Sequence, residues 1–528
     1  MIKYLIVLLL LLLPSFSLML KSGIFTMHDF HVFRQYEFDL CVKERALPCR
    51  WAPDASLGYG QPLFNFYGQF TYWIGELFRL SGMQIIDSVK SVFIVSLVLS
   101  GVSMYFLARH FWGHTGALLS SLFYVYAPYR AVDVWVRGAL PESLAFVLFP
   151  VILLSIEKKN YIVFSLAVFL LIITHNLSLF MFLPFAVIWW AVRSRDFKFI
   201  PSSLFSLLLA SFYLLPVIFE SHLVTLSQTT SGYFTFNHHF TSLRQLFITT
   251  FWGYGGSVWG PNDTMSFSVG HLHWLVPAVT AVLLFFRRHL TPVFLLSVSL
   301  GLLAVFLTHG KSEIIWQAIP GLPYIQFPWR FLSLTTLFLS LSAGALTQLS
   351  SHKLLPILIM IMVLVFNTGF FRPDIWRNIT DADQFTGPLW QEQISSALSD
   401  FWPKSAPSLP KSAAPKAPQI TFGSADITEL TNLSHSRSYD ITTATSYAKV
   451  IFPITYFPNW TAIVDGKTDL LSTSGDLNLI AVRVPQGNHH LRLEFRDTYI
   501  RALGTILSTL AGLTLISYIC LKSRFSLS

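Results

Sequence analysis

Twelve apolar runs decide what this chain can fold into. They lie at about 3–20, 90–108, 115–129, 141–156, 161–174, 177–192, 200–218, 272–286, 291–308, 329–349, 354–370 and 501–521. Each approaches or reaches the length a helix needs to cross ~30 Å of hydrocarbon. A helix also satisfies its own backbone hydrogen bonds where no water is present. Charged residues make up only 12% of the 528-residue chain, about half of the ~25% usual in soluble domains. The fold class expected is an α-helical integral membrane protein with about twelve transmembrane helices. The first run reads as an anchor, because no small-residue cleavage pattern follows it. The net charge of +9 does not point to nucleic acid, since the basic residues are spread over short loops between apolar runs. Cys41, Cys49 and Cys520 form no CxxC pair, which argues against thiolate zinc or iron–sulfur sites.

Lysine and arginine fix the expected orientation. With Lys3 inside, every second loop also falls inside: Arg109, Lys158 and Lys159, Arg193 to Lys198, Arg287 and Arg288, Lys353, and the tail with Lys522 and Arg524. Those segments carry 12 basic residues against two acidic ones, Glu157 and Asp196. Both termini are then cytoplasmic in a plasma (inner) membrane. The long loops 21–88, 130–140, 219–271, 309–328 and 371–500 face outward, and nearly all the reactive polar groups lie there. Helix interiors nearly free of charge speak against ion-coupled transport through the midplane.

Three divisions are expected: a transmembrane domain over 1–370, an extracytoplasmic β-rich domain over 371–500, and a final helix with its tail over 501–528. The segment 371–500 holds 24 of the 63 charged residues. Prolines between 403 and 418 mark an extended linker or surface loop. Beyond it the hydrophobic period becomes two. Tyr447 to Phe457, Trp460 to Val464, Leu477 to Val484 and His489 to Arg496 read as strands, with turns at Asp465-Gly466 and Pro485 to Asn488. A small β-sandwich is the expected form.

The first outer loop begins HDFHVFRQYE, His28 to Glu37. Asp29 there can act as a general base, and His28, His31 and Glu37 can support it or ligate a divalent metal. The alternative is a hydrated interfacial loop. Farther on, Trp51 and Tyr59 belong to a dense aromatic stretch that suits either membrane anchoring or stacking on sugar rings. Cys41 and Cys49 both lie outside, where a disulfide can form; spacing leaves pairing open. YRAVDVWVRGALPE brings Arg130, Asp133, Arg137 and Glu142 beside the bilayer, as a phosphate site or as snorkelling arginines with a helix-start glutamate. His175 lies between two runs, and Arg330 begins another. Phosphate-binding GxxxxGK[ST] and GxGxxG loops are absent.

HD-x-H, LP-x-x-W-x-P, GYGQPLFNFY, YR-x-x-D-x-x-x-RGA-x-x-E, THN and QFPWRF together resemble the polytopic membrane proteins with the 6-pyruvoyl-tetrahydropterin synthase-related membrane domain. The tail YFPNWTAIVDGK…VPQGNHHLRLEF resembles the C-terminal β-domain of YfhO-like proteins. Both groups are similar to GT-C glycosyltransferases. The resemblance implies a polyprenyl-phosphate-linked sugar as donor, transferred with inversion to a glycan, lipid or protein acceptor. It implies Asp29 as the catalytic acid residue. Arg137, Arg330 and His175 are then expected at the donor phosphate, and Trp51, Tyr59, Asp133 and Glu142 at the sugar or acceptor. The second acid of the usual GT-C pair is missing beside Asp29, where His28 stands. No cofactor is dictated, and a divalent metal (Mg or Mn) stays open. Two other classes compete: a transporter or flippase for a lipid-linked sugar, and a non-catalytic cell-envelope assembly protein.

Overall fold

The computed structural model describes residues 1–28, 30–226, 230–258, 262–349, 354–395 and 401–525. The chain is mostly helical, with a β-sheet near its C-terminal end. It divides into two compact units that alternate along the sequence. The first comprises Met1–Asp29, Trp73–Ser206 and Thr229–Thr380, and the second Phe30–Tyr72, Leu207–Gln228 and Asp381–Ser528.

All twelve predicted apolar runs fall on helix. Six helices among the described residues are long and apolar enough to cross a membrane alone: Ile2–Leu20, Ile85–Val125, Leu140–Glu157, Asn176–Arg193, Pro328–Gln348 and Tyr499–Lys522. A seventh candidate is the pair Phe199–Leu209 and Ser211–Leu223, and four more apolar helices are shorter. Two of the predicted runs share the 41-residue element Ile85–Val125, which breaks at Gly113 with φ +68°. Only glycine takes that conformation at little cost.

The first unit packs its helices through small residues. A Cβ on Gly116 would lie 2.8 Å from the Gly344 carbonyl, and one on Gly344 would meet the Ser120 hydroxyl and the Trp112 ring. Backbones that approach this closely gain dispersion contacts that the hydrophobic effect cannot supply in lipid. Trp112 Nε1 donates across the same interface to the Leu341 carbonyl at 2.8 Å. A short antiparallel pair, Ile24–Phe25 with Trp376–Arg377, anchors the start of the first loop.

In the second unit the predicted run 200–218 is broken at Ala210 rather than straight. Pro216 has no amide hydrogen to offer the Phe212 carbonyl. That carbonyl instead accepts from Arg50 Nη1 at 2.8 Å, and the Phe212 amide donates to Ser508 Oγ at 2.8 Å. Cys41 and Cys49, whose pairing the spacing left open, form a disulfide.

The strands of the β-region are joined by hydrogen bonds into one seven-stranded sheet. Two long strands, Ser436–Thr455 and Leu479–Phe495, pair antiparallel along their length. Trp460–Val464 flanks the second, and Ala425–Asn432 flanks the first. Alternate residues such as Tyr439, Ile441, Val450, Phe452, Val482 and Leu491 are buried. The Asp465-Gly466 turn forms as expected, with both residues at positive φ. The expected turn at Pro485 to Asn488 does not form. Those residues lie inside the strand Leu479–Phe495, opposite an irregularity between Thr443 and Tyr447. Proline and glycine suit a bulge as well as a turn, so their presence was misread.

The final helix is tied into the second unit by a buried ion pair. Arg501 Nε lies 2.8 Å from Glu220 Oε2, and the Arg501 side chain is fully buried. Removing one member of such a pair strands a charge, at a cost of ~3–5 kcal/mol. Glu220→Ala should therefore lower the thermal midpoint sharply, and adding Arg501→Met should recover much of the loss. A double variant as unstable as the single one would contradict this reading.

Candidate functional site

In the first unit, Pro128 opens a helical turn over Pro128–Ala131, and a wider π-type turn follows over Val132–Arg137. Gly138 ends it at φ +64°, where a Cβ would lie only 2.2 Å from the Met27 Cβ. π-type turns are uncommon and gather at functional sites. The steps from Arg130 to Asp133 and from Asp133 to Arg137 put all three side chains on one face. The next helix, Leu140–Glu157, adds Glu142 in its first turn.

The result is a continuous chain of buried charge. Arg130 Nη1 donates to Asp133 Oδ2 at 3.2 Å, and Arg137 Nη1 donates to Asp133 Oδ1 at 3.2 Å. Arg137 Nη1 also donates to Glu142 Oε2 at 2.8 Å, while the Tyr129 hydroxyl donates to Glu142 Oε1 at 2.6 Å. Arg330 Nε stands 4.0 Å from the same Glu142 Oε2. Aromatic faces carry the guanidinium groups: Arg137 over Trp329 at 4.8 Å, Arg130 over Phe146 at 4.3 Å and Arg330 over Phe327 at 5.0 Å. Among the described residues, three arginines face two carboxylates. Arg130 and Asp133 are sealed, but Arg137 and Arg330 keep 12% and 11% of their side chains accessible. Accessible cations in a mostly dry setting suit a phosphate.

His175 hydrogen-bonds Ser178 Oγ through Nδ1 at 2.7 Å and is near enough to act electrostatically on Glu142. The backbone amide of His28 donates to the Arg137 carbonyl at 3.1 Å, and its Nε2 lies 3.2 Å from the Tyr254 carbonyl oxygen. Asp29, the predicted catalytic residue, lies outside the described residues. Among the described residues, no three His, Cys, Asp or Glu side chains gather as a metal site.

The remaining predicted residues belong to the second unit. His31 is fully buried, with Nδ1 2.9 Å from the Tyr72 hydroxyl. Glu37 is fully buried too, and its Oε2 accepts from the Asp54 amide at 3.4 Å. Trp51 packs edge-on against Trp460 at 5.4 Å and against Phe495 at 5.1 Å. Gly60 lies against the Trp51 ring, leaving no room for a Cβ. Tyr59 packs with Trp402 and Ala406. Sequence reasoning missed Asp54 as the partner of Glu37 and Tyr129 as a hydroxyl donor to Glu142. Tyr129 was legible, since it directly precedes Arg130 in the quoted motif; Asp54 had no signal beyond its place in the same loop.

No family model matches the chain, and no curated protein is similar to it. Among solved structures the chain is similar to the mycobacterial arabinofuranosyltransferase AftD, at 15% identity and a TM-score of 0.43, over 72% of this chain and 28% of that one. A mutant form of that enzyme gives 15% identity and a TM-score of 0.44, over 71% and 29%. An oligosaccharyltransferase from Archaeoglobus fulgidus gives 13% identity and a TM-score of 0.34, over 78% and 58%. The chain thus spans less than a third of the length of the arabinofuranosyltransferase. The functional reading rests on the chain's own residues.

Burial first, and the neighbouring Asp54 second, push the Glu37 carboxyl well above the ordinary range. Burial likewise raises Asp54. The folded chain therefore retains a proton that the unfolded chain releases near ~4.3. Stability from this source is present at low pH and declines as pH rises through that value. Glu37→Gln keeps the shape without the charge. Thermal midpoints taken from about pH 4 to about pH 8 should fall less steeply in the variant than in the parent. Equal slopes would contradict the assignment.

Proposed function

We propose that the chain is a membrane glycosyltransferase of GT-C type. It moves a sugar from a polyprenyl-phosphate donor in the outer leaflet to an extracytoplasmic acceptor, with inversion at the anomeric carbon. The observation that carries this reading is the group of three arginines backed by aromatic rings, with Arg137 and Arg330 partly accessible, whose Arg137 carbonyl accepts from the amide of His28, the residue before Asp29.

The acceptor hydroxyl attacks the anomeric carbon while Asp29 takes its proton. The new C–O bond forms as the bond from that carbon to the phosphate oxygen breaks. The electron pair leaves with the polyprenyl phosphate, whose charge rises in the transition state. Arg137 and Arg330, with His175 near Glu142, are the groups that stabilise this charge. Tyr129, Asp133 and Glu142 hold the arginines in place. A general base contributes ~10²–10⁴-fold, and positioning supplies much of the remainder. The described residues assemble no metal-ligand set, so no step is assigned to a divalent ion. Helix interiors nearly free of charge favour this reading over a flippase, which would need a polar path.

The test is incubation of purified protein with a panel of radiolabelled polyprenyl-phosphate sugars, following release of the free lipid phosphate. Asp29→Asn should lower turnover by ~10²-fold or more while insertion and folding persist. Arg330→Ala should weaken donor affinity by about tenfold, ~1.4 kcal/mol, with a smaller effect on turnover. Full transfer by the Asp29 variant would refute the assignment.

A further inference from the structure

Two cavities of the first unit share a wall, and neither touches the arginine group directly. One is a slot of about 310 Å³ with a mainly apolar lining that includes Phe251, Trp252, Leu272, Phe366 and Phe370. Leu272 and Phe366 belong to the apolar helices His271–Phe286 and Leu354–Asn367. Phe366 is 60% exposed and Phe251 50%, so the slot is flanked by uncovered aromatic surface. The indole N–H of Trp252 is buried and has no partner among the described residues. The other cavity is larger, about 1060 Å³, and much more polar. That is at the upper end of the ~300–1,000 Å³ typical of small-molecule sites. Arg244, Lys311, Asp263, Asn237 and Asn262 contribute to its lining.

Thr249, Phe251 and Ser266 line both spaces, so an apolar slot adjoins a more polar chamber. The chamber is positively biased. Arg244 and Lys311 make no ion pair among the described residues, whereas Asp263 Oδ1 is held by the amides of Val258 and Met265 at 3.3 and 3.2 Å. Burial pushes the Asp263 carboxyl up to about 6. Two packed rings lie between the chamber and the arginine group. Phe267 lines the chamber and lies 5.6 Å from the Trp329 ring, which carries Arg137. Trp329 Nε1 donates to Ser257 Oγ at 3.2 Å, and Ser257 in turn contacts Asp263.

We propose that slot and chamber form one site for a lipid-carried saccharide with an anionic head group, and that this amphiphile is the acceptor of the transfer. The apolar chain occupies the slot, the sugars occupy the chamber, and Arg244 and Lys311 meet the negative charge. Its role as acceptor rests on the transferase reading; its binding does not. A two-substrate transferase needs its acceptor near the donor phosphate, and the Phe267 and Trp329 rings lie between the chamber and Arg137. The anionic group is a phosphate on the lipid linkage or a carboxylate on a sugar.

The test uses the full chain in nanodiscs and four fluorescent probes: a farnesyl-diphosphate disaccharide, a neutral farnesyl-ether disaccharide, the same ether ending in glucuronate, and the disaccharide diphosphate without a chain. Binding is read directly by anisotropy. Farnesylated anionic probes should bind at least about tenfold tighter (~1.4 kcal/mol) than the neutral or chainless ones. Whichever of the diphosphate and glucuronate probes binds tighter identifies the source of the charge. Combined Arg244→Ala and Lys311→Ala changes, both at exposed positions, should remove that preference, and Phe251→Asp should remove the effect of the chain. Equal binding of neutral and anionic probes, or an unchanged preference in the double variant, would overturn the site. Selective binding without any transfer would leave the site intact and sink the transferase reading. Transfer with unaltered acceptor affinity in the double variant would do the reverse.

Discussion

A charge held next to hydrocarbon must be paired, because water is not there to solvate it. The first unit meets this requirement with a ladder in which each carboxylate is shared. Asp133 serves Arg130 and Arg137, and Glu142 serves Arg137, Arg330 and Tyr129. Aromatic rings cover the guanidinium faces that carboxylates leave open. Shared pairing makes the ladder a tolerable burial, and the partly accessible Arg137 and Arg330 suit an anion. The wide turn over Val132–Arg137 and the left-handed Gly138 follow from the need to bring these side chains onto one face.

The second unit obeys the same rule by two other routes. Arg501 is matched with Glu220, while Arg50 is shared between Asp497 at 3.4 Å and the carbonyl that Pro216 leaves free. Glu37 meets no cation among the described residues, and burial together with Asp54 favours its protonated form. Glu37 is thus a neutral buried acid within the second unit, and His31 is occupied by Tyr72. These placements explain why a run of acids and histidines adjacent in sequence need not act together: a helix over His31–Lys43 sends neighbours to different faces.

Much of the architecture was legible because its signals are local. Apolar length located the helices, and period-two alternation located the strands. Gly113 divides a helix element that hydropathy already split, and Asp465-Gly466 turns where its residue types require. Bulge and turn were confused at Pro485 to Asn488 because both ask for the same residues; only the partner strand distinguishes them. The spacing of Arg130, Asp133, Arg137 and Glu142 announced a charged face, and Arg330 joins it from a distant segment that periodicity cannot reach. The pairing of Glu37 with Asp54 and the joined cavities beside Trp329 depend on tertiary approach alone. Asp29 lies outside the described residues, so its part in the site rests on resemblance and on the placement of His28.

The alternation of the two units along the chain has a consequence for biogenesis. The second unit draws on residues 30–72, 207–228 and 381–528, and Arg50 bonds to groups from both later segments. During synthesis its early segment must wait, with a basic side chain uncompensated, until Asp497 leaves the ribosome. The first unit is complete once residue 380 has emerged. Long-range closures of this kind form late and leave partly assembled chains exposed. Truncation before Asp497 would therefore leave Arg50 and Glu220 without Asp497 and Arg501, inviting quality-control proteases to a chain whose first unit has all its segments.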